Sequence, residues 1–253
     1  MAVRVNTAKE KLLRGEPAYG YSLGAGSPIV AEALSHSGID WIMIDNQHGS
    51  WGPDSTILAL MAVASGPAVP MVRVARNDYT LIGRLLDEGA LGIVVPMVEN
   101  AADARRVADA CRFPPAGSRS WGWGRARAYG PDYGAWINDQ LFVAVQIESA
   151  GAVDRAEEIL GVDGIDGCWV GPADLAFTLG FHPSEQARRP EHQRALERVL
   201  AACQATGKVP GIACQSPAEA KRRVEQGFRF VTAGGDLGLL LGAATEGVRL
   251  MKG

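Results

Sequence analysis

The amino-acid sequence predicts a single (β/α)8 barrel spanning residues 1–253. Three observations support that expectation. Eight short apolar runs are rich in β-branched and aromatic residues, a stretch of helical periodicity follows each, and no shift in composition marks a second domain. The strand-like runs are residues 19–23, 40–44, 70–74, 92–98, 141–147, 167–170, 209–214 and 229–233. They are nearly continuous in apolar residues, as strands covered on both faces should be. The helical stretches are residues 28–37, 54–65, 79–88, 101–111, 151–160, 191–206, 217–226 and 237–251.

The helix ends carry their own signals. Ser27-Pro28 and Ser216-Pro217 each put a cap residue before a proline at the first helical position. Gly38, Gly89, Gly161, Gly207 and Gly227 stand where a left-handed residue can close the last turn. The irregular segment is residues 113–140, which contains PPAGSRSWGWGRARAYGPDYGAW. A loop this long inside a compact domain is usually functional or an interface element. Its aromatic residues beside arginines favour a subunit interface over a pinned surface excursion.

Composition excludes several classes. The chain is 47% hydrophobic and 21% charged with net charge −3, which suits a packed core and not a disordered chain. The charges are scattered, so no basic stripe for nucleic acid is present. No apolar run reaches the length of a membrane helix, and residues 1–10 lack the apolar core of a secretory signal. Cys111, Cys168, Cys203 and Cys214 form no CxxC pair, and reduced thiols in a cytoplasmic protein are expected.

Active sites of such barrels lie at the C-terminal ends of the strands. The second strand delivers Asp45-Asn46-Gln47-His48-Gly49 there, the third Arg73, the fifth Gln146-Ile147-Glu148, and the sixth Gly171-Pro172-Ala173-Asp174. Each has a bland reading, a helix cap for the Asp or a structural role for the His. Their convergence on one end of four strands favours a site. Glu148 and Asp174 are hard oxygen ligands, and Gln146 can add a carbonyl. Of the four histidines only His48 ends a strand, so a three-histidine zinc site is not available. Two carboxylates with water and a chelating 2-oxo acid suit Mg2+ or Mn2+, with Co2+ as a substitute. The metal acts as Lewis acid on the keto oxygen, and Arg73 supplies a fixed charge beside it. His48 is the expected general acid/base, with Asp45 orienting it or holding a metal-bound water. No lysine ends a strand, which argues against a Schiff-base mechanism, and no nucleotide or pyridoxal phosphate is expected.

At these residues the sequence resembles the HpcH/HpaI aldolase family. That family comprises class II pyruvate aldolases, including 4-hydroxy-2-oxoheptanedioate and 2-keto-3-deoxy sugar-acid aldolases. The likeness runs along nearly the whole chain, through WIMIDNQHG, the VRV around Arg73, LLDEGALGIVVPMV, RFPPAGSRS, VQIES and DGIDGCWVGPADLAFTLG. It implies His48 as acid/base, Arg73 as enolate stabiliser, Glu148 and Asp174 as metal carboxylates, Gln146 in the site lining, and the amides of Ala173 and Asp174 on the substrate carboxylate. It also implies a homohexamer, or trimer of dimers, with an exchanged C-terminal helix. The family pairs its histidine with an aspartate matching Asp87, which here falls late in the third helix and could act only from a neighbouring subunit. Many relatives carry Glu where this chain has Gln47, so a negative charge near the metal is absent here.

The expected function is aldol formation or cleavage of 4-hydroxy-2-oxo acids, from a pyruvate-type donor and an aldehyde. Acceptor contacts are expected from loops that include Trp51 and, from a neighbouring chain, the 121–127 stretch beginning at Trp121, with Ser120 beside it. Oxaloacetate decarboxylation is the nearest alternative. Gly234-Gly235-Asp236 after the eighth strand raises a phosphate-binding isomerase, which Asp236 disfavours by repulsion, and a non-catalytic binding role is the third.

Overall fold

The computed structural model describes residues 4–122 and 124–253. Eight parallel strands close into a barrel in sequence order: β1 (Ala18–Leu23), β2 (Trp41–Asp45), β3 (Val69–Arg73), β4 (Gly92–Val95), β5 (Phe142–Ile147), β6 (Gly167–Val170), β7 (Gly211–Ile212) and β8 (Phe230–Gly235). The helices in chain order are α1 (Thr7–Leu13), α2 (Pro28–Ser35), α3 (Pro53–Ser65), α4 (Tyr79–Asp87), α5 (Ala101–Cys111), α6 (Tyr133–Gln140), α7 (Ala150–Asp154), α8 (Ala156–Leu160), α9 (Pro172–Thr178), α10 (Pro190–Thr206), α11 (Pro217–Glu225) and α12 (Asp236–Lys252). The fold is the (β/α)8 barrel that the sequence predicts.

Alternation along the strands sorts the interior. Trp41, Phe142 and Phe230 open β2, β5 and β8, and they meet inside the barrel. Trp41 stacks on Phe230 with ring centroids 4.3 Å apart, and Phe142 reaches Phe230 from the opposite wall at 4.9 Å. Gly20, the β1 partner of Trp41, leaves room for the indole, since a Cβ there would sit 2.2 Å from its ring. This apolar plug fills the N-terminal end. Two-residue steps from Trp41 and Phe142 then bring Asp45 and Gln146 to the other end.

The caps at Ser27 and Ser216 form as expected, their side chains accepting the backbone N–H groups of Val30 and Glu219. Gly38, Gly89, Gly207 and Gly227 adopt positive φ, whereas Gly161 is right-handed at φ −66°, so that expectation fails there. The stretch expected as one helix over 151–160 breaks at Arg155 into α7 and α8. β7 is shorter than expected because Pro210 has no N–H to give the ladder; only a bridge from Val209 to Gly167 precedes it. The segment 113–140 holds a 3-10 turn, Arg125–Tyr129, and α6. Trp123, part of its aromatic cluster, and residues 1–3 lie outside the described residues. The four cysteines are buried and unbridged, with Cys168 and Cys203 Sγ atoms 3.5 Å apart. Among the described residues no helix is long and apolar enough to cross a membrane.

α12 departs from the other helices. Only Asp236 in it is buried, while Leu240, Leu241, Leu250 and Met251 are all more than 60% exposed. The outer face of β1 and β8 that an eighth helix would cover is instead a groove of about 450 Å3, lined by Tyr19, Tyr21 and Ala233 between Ile39 and Lys221.

Candidate active site

A cavity of about 410 Å3 opens at the C-terminal ends of the strands, and its lining includes Asp45, His48, Arg73, Gly171, Pro172, Ala173 and Asp174. Asp45 and Arg73 are register partners on β2 and β3, so the ladder itself sets them side by side. Both are buried. The Arg73 fork donates to Asp45 twice, through Nε at 2.9 Å to Oδ1 and through a second nitrogen to Oδ2. Asp45 Oδ1 also accepts the backbone N–H groups of Gln47 (3.1 Å) and His48 (3.2 Å). Asp45 thus holds the His48 backbone and fixes the guanidinium plane. Across the lumen the guanidinium lies 5.3 Å from the centroid of the Trp169 ring.

Glu148 and Gln146 are not part of the cavity lining; they lie buried behind Gly171, which is. A Cβ at Gly171 would stand 2.6 Å from Glu148 Oε2, so glycine is required by close approach. Gln146 Nε2 donates to Glu148 Oε2, and the Met97 backbone N–H donates to Glu148 Oε1 at 2.8 Å. Met97 presents that N–H from a left-handed conformation, φ 55°, unusual for a non-glycine residue. Burial pushes the Glu148 carboxyl up to about 6; the Met97 N–H and Arg73 oppose the rise, and Asp174 and Glu99 add to it. Gln146 Oε1 is buried with no hydrogen-bond partner among the described residues.

That orphaned oxygen is the structural test for a cation. With Glu148 and Asp174 it makes a set of hard oxygen donors, two of them carboxylates, which fits Mg2+ or Mn2+. Among the described residues no group of three or more His, Cys, Asp and Glu side chains could hold a metal, so a site made wholly of such groups is not present.

His48 is exposed on the cavity wall, and Ala173 and Asp174 belong to the first turn of α9, whose N–H groups have no acceptor within the helix. Within one chain the remaining expected residues do not line this cavity. The Trp51 indole donates to the Leu23 carbonyl at 2.7 Å and is not part of the cavity lining, and Gln47 Oε1 is buried without a partner. Asp87 ends α4, accepts from Arg119 at 2.6 Å and lines a separate pocket with Ser120. Trp121 packs on Phe113 beside α6. The lysines also lie away from the mouth: Lys9 Nζ donates to the Leu141 carbonyl and Lys208 Nζ to that of Ile165, both just before strands. Asp236 accepts from the N–H groups of Gly24 (2.9 Å), Ala25 (3.0 Å) and Leu237 (2.9 Å), occupying the amides a phosphate would need.

Sequence reasoning missed Trp169, the Met97 amide, and the cavity residues Gln186, Gln215, Glu219 and Thr232. Trp169 was accessible in principle, being two residues before Gly171 on the same strand face. Met97 and Gln186 carry no local signal.

The chain from residue 20 to 243 matches the family model described as HpcH/HpaI aldolase/citrate lyase. A 4-hydroxy-2-oxo-heptane-1,7-dioate aldolase from Salmonella dublin is 42% identical over 239 residues, covering 93% of this chain and 90% of that protein. Among solved structures, an HpcH/HpaI aldolase/citrate lyase family protein from Burkholderia cenocepacia J2315 superposes with a TM-score of 0.92 at 37% identity, covering 98% of this chain and 100% of that one. The citrate lyase beta subunit from M. tuberculosis, solved with oxaloacetate and magnesium, has a TM-score of 0.58 at 18% identity over 88% of this chain and 93% of its own, a likeness of fold.

Proposed function

Because the chain belongs to the HpcH/HpaI aldolase/citrate lyase family and is a carbon–carbon lyase, we propose that it forms and cleaves 4-hydroxy-2-oxo acids with the help of a divalent cation. The observation that supports this reading best is the buried Gln146–Glu148 pair behind Gly171, with the Gln146 Oε1 unpartnered and the Glu148 carboxyl within the fields of Asp174 and of Arg73, which Asp45 locks in place.

In the forward direction a methyl C–H of a pyruvate-type acid loses its proton, and that carbon bonds the carbonyl carbon of an aldehyde. The aldehyde oxygen then gains a proton, so the sum of the substrates equals the product. Glu148, Asp174 and Gln146 Oε1 would hold Mg2+ or Mn2+, with Co2+ as a substitute. Bound there, the cation supplies Lewis-acid polarisation of the 2-oxo acid. Arg73 stabilises negative charge that develops on the keto oxygen, and its service depends on a fixed plane more than on charge alone. His48 takes the proton that leaves the methyl carbon and returns one to the aldehyde oxygen. The amides of Ala173 and Asp174 bind the substrate carboxylate.

The exposed apolar face of α12 and the uncovered groove over β1 and β8 support an oligomer in which each C-terminal helix packs on a neighbour's barrel. A partner subunit would also be the only route for Asp87 to approach a His48 imidazole, since within one chain Asp87 faces the pocket beside Arg119.

Incubation with a panel of 4-hydroxy-2-oxo acids, followed for pyruvate release with Mg2+, with Mn2+ and with a chelator, tests the reading. Metal-dependent release is expected. Release that the chelator leaves unchanged, or none from any member, would overturn it.

A further inference from the structure

We propose that His192, which stands on α10 outside the cavity, is a positioning residue that aims the Ala173 amide at the substrate carboxylate. The proposal rests on the aldol reading above and adds a residue to its donor half. His192 lies neither at a strand end nor in the cavity lining.

The geometry begins with a buried ring. His192 is 1% exposed in the first turn of α10, and its Nε2 lies 3.0 Å from the Pro172 carbonyl oxygen. A carbonyl can only accept, so Nε2 carries the proton and donates. Phe181, in the segment between α9 and α10, meets the imidazole edge-on with ring centroids 6.2 Å apart, which helps hold its plane. Burial pushes the imidazole pKa below its ordinary value; the Pro172 bond opposes the fall and Arg223 adds to it. The ring is therefore a neutral donor at pH 7.5.

The Pro172 carbonyl and the Ala173 N–H are the two ends of one planar peptide unit and point in opposite directions. A donor that grips the oxygen therefore fixes the direction of the N–H. Pro172, Ala173 and Asp174 all line the cavity, while the bonded oxygen turns to α10. Gly171, just before them, has no side chain with which to cap this turn, so the turn takes an outside hold from His192. Donation to the carbonyl also polarises the peptide and strengthens the Ala173 N–H as a donor. A second observation marks this turn as facing a ligand. Gln146, whose amide nitrogen would stand 3.3 Å from a Cβ at Gly171, keeps its buried Oε1 unpartnered behind it.

The test measures exchange of pyruvate methyl protons with Mg2+ in His192→Phe, which keeps a ring and removes the donor. An amide that holds the carboxylate binds ground state and transition state alike, so its misalignment should raise KM for pyruvate by ~10-fold and leave kcat within ~3-fold. A smaller fraction of folded protein would lower kcat at unchanged KM, which counts against the proposal. His192→Gln places an amide N–H near the position of Nε2 and should hold KM within ~3-fold of wild type. Nitrogen-15 NMR of histidine-labelled wild-type protein gives a reading that does not depend on how His192→Phe folds. The His192 Nε2–H resonance, assigned by its loss in His192→Gln, should move downfield when pyruvate is added with Mg2+, because a bound carboxylate polarises the shared peptide further. A KM unmoved in His192→Phe, no rescue by glutamine, or a resonance that pyruvate leaves in place would overturn the proposal. Wild-type exchange separates the two claims. Where it is metal-dependent and the His192 results fail, only the positioning role falls; where it is absent, the aldol reading falls and this role with it.

Discussion

Asp45→Asn separates the work of one carboxylate from its volume. Asp45 and Arg73 are 6% and 9% exposed, so their attraction acts with little solvent screening. The carboxylate accepts two Arg73 donors and two backbone N–H groups. Asparagine keeps one acceptor oxygen, enough for the Gln47 and His48 amides, but it leaves the guanidinium without its adjacent counter-charge. Breaking a buried ion pair by neutralising one member costs about 3–5 kcal/mol. Retained backbone bonds and the nearby Glu148 place this case near the lower figure, about 3 kcal/mol. For a chain of this length each kcal/mol moves Tm by about 2–4 °C, so a fall of about 6–12 °C is expected. Calorimetry of metal-free protein at pH 7.5 measures it. A double-mutant cycle with Arg73→Met adds a stricter check, because removing both members of the pair should cost less than the sum of the single changes. Additive changes, or an Asp45→Asn protein melting within about 2 °C of wild type, would refute the idea that this pair braces the site.

Four further outcomes are expected. The Glu148 carboxyl lies at about 6 in the fold against 4.5 when free, so the folded state holds its proton more tightly. Its contribution is therefore complete below pH 4.5 and lost as pH rises through about 6, a change of about 2 kcal/mol that Glu148→Gln should abolish in metal-free melts; an unchanged pH profile contradicts this. For the same reason, stabilisation by Mn2+ should grow across that pH range in wild type. Gly171→Ala should displace the Glu148 carboxylate, which a Cβ would approach to 2.6 Å, costing about 1–3 kcal/mol in stability and weakening Mn2+ binding measured by calorimetric titration. Arg73→Lys should lower kcat/KM by more than ~10-fold with Tm also reduced, since a point ammonium cannot fill both arms of the Asp45 fork.

Much of the fold was legible because the barrel's strands are covered on both faces and stand out as apolar runs between helical ones. The polar residues at the ends of β2, β3, β5 and β6 pointed to one end of the barrel, where Asp45, His48, Arg73 and Asp174 line the cavity and Gln146 and Glu148 lie buried behind Gly171. What escaped depends on contacts distant in sequence. α1 and α9 add to the eight-unit repeat, although Asn6 caps the first and Pro172 opens the second. The break at Arg155 has neither proline nor glycine to announce it. Asp45 was expected to orient His48 or hold a metal-bound water; that its carboxylate also holds Arg73 and the His48 backbone N–H is a consequence of the β2–β3 register that no local pattern encodes. Gln186 reaches the cavity only because the turn after α9 folds back across the mouth.

The central claim is that this cluster of oxygen ligands, arginine and histidine activates a methyl group next to a keto acid. Proton NMR of pyruvate in D2O with the protein tests it without any need to know the aldehyde. The account predicts loss of the methyl signal with Mg2+ or Mn2+, none above background with chelator, and slowing by about 10²–10⁴-fold in His48→Ala. Exchange that persists at the same rate without metal, or that never exceeds background with it, would contradict the account.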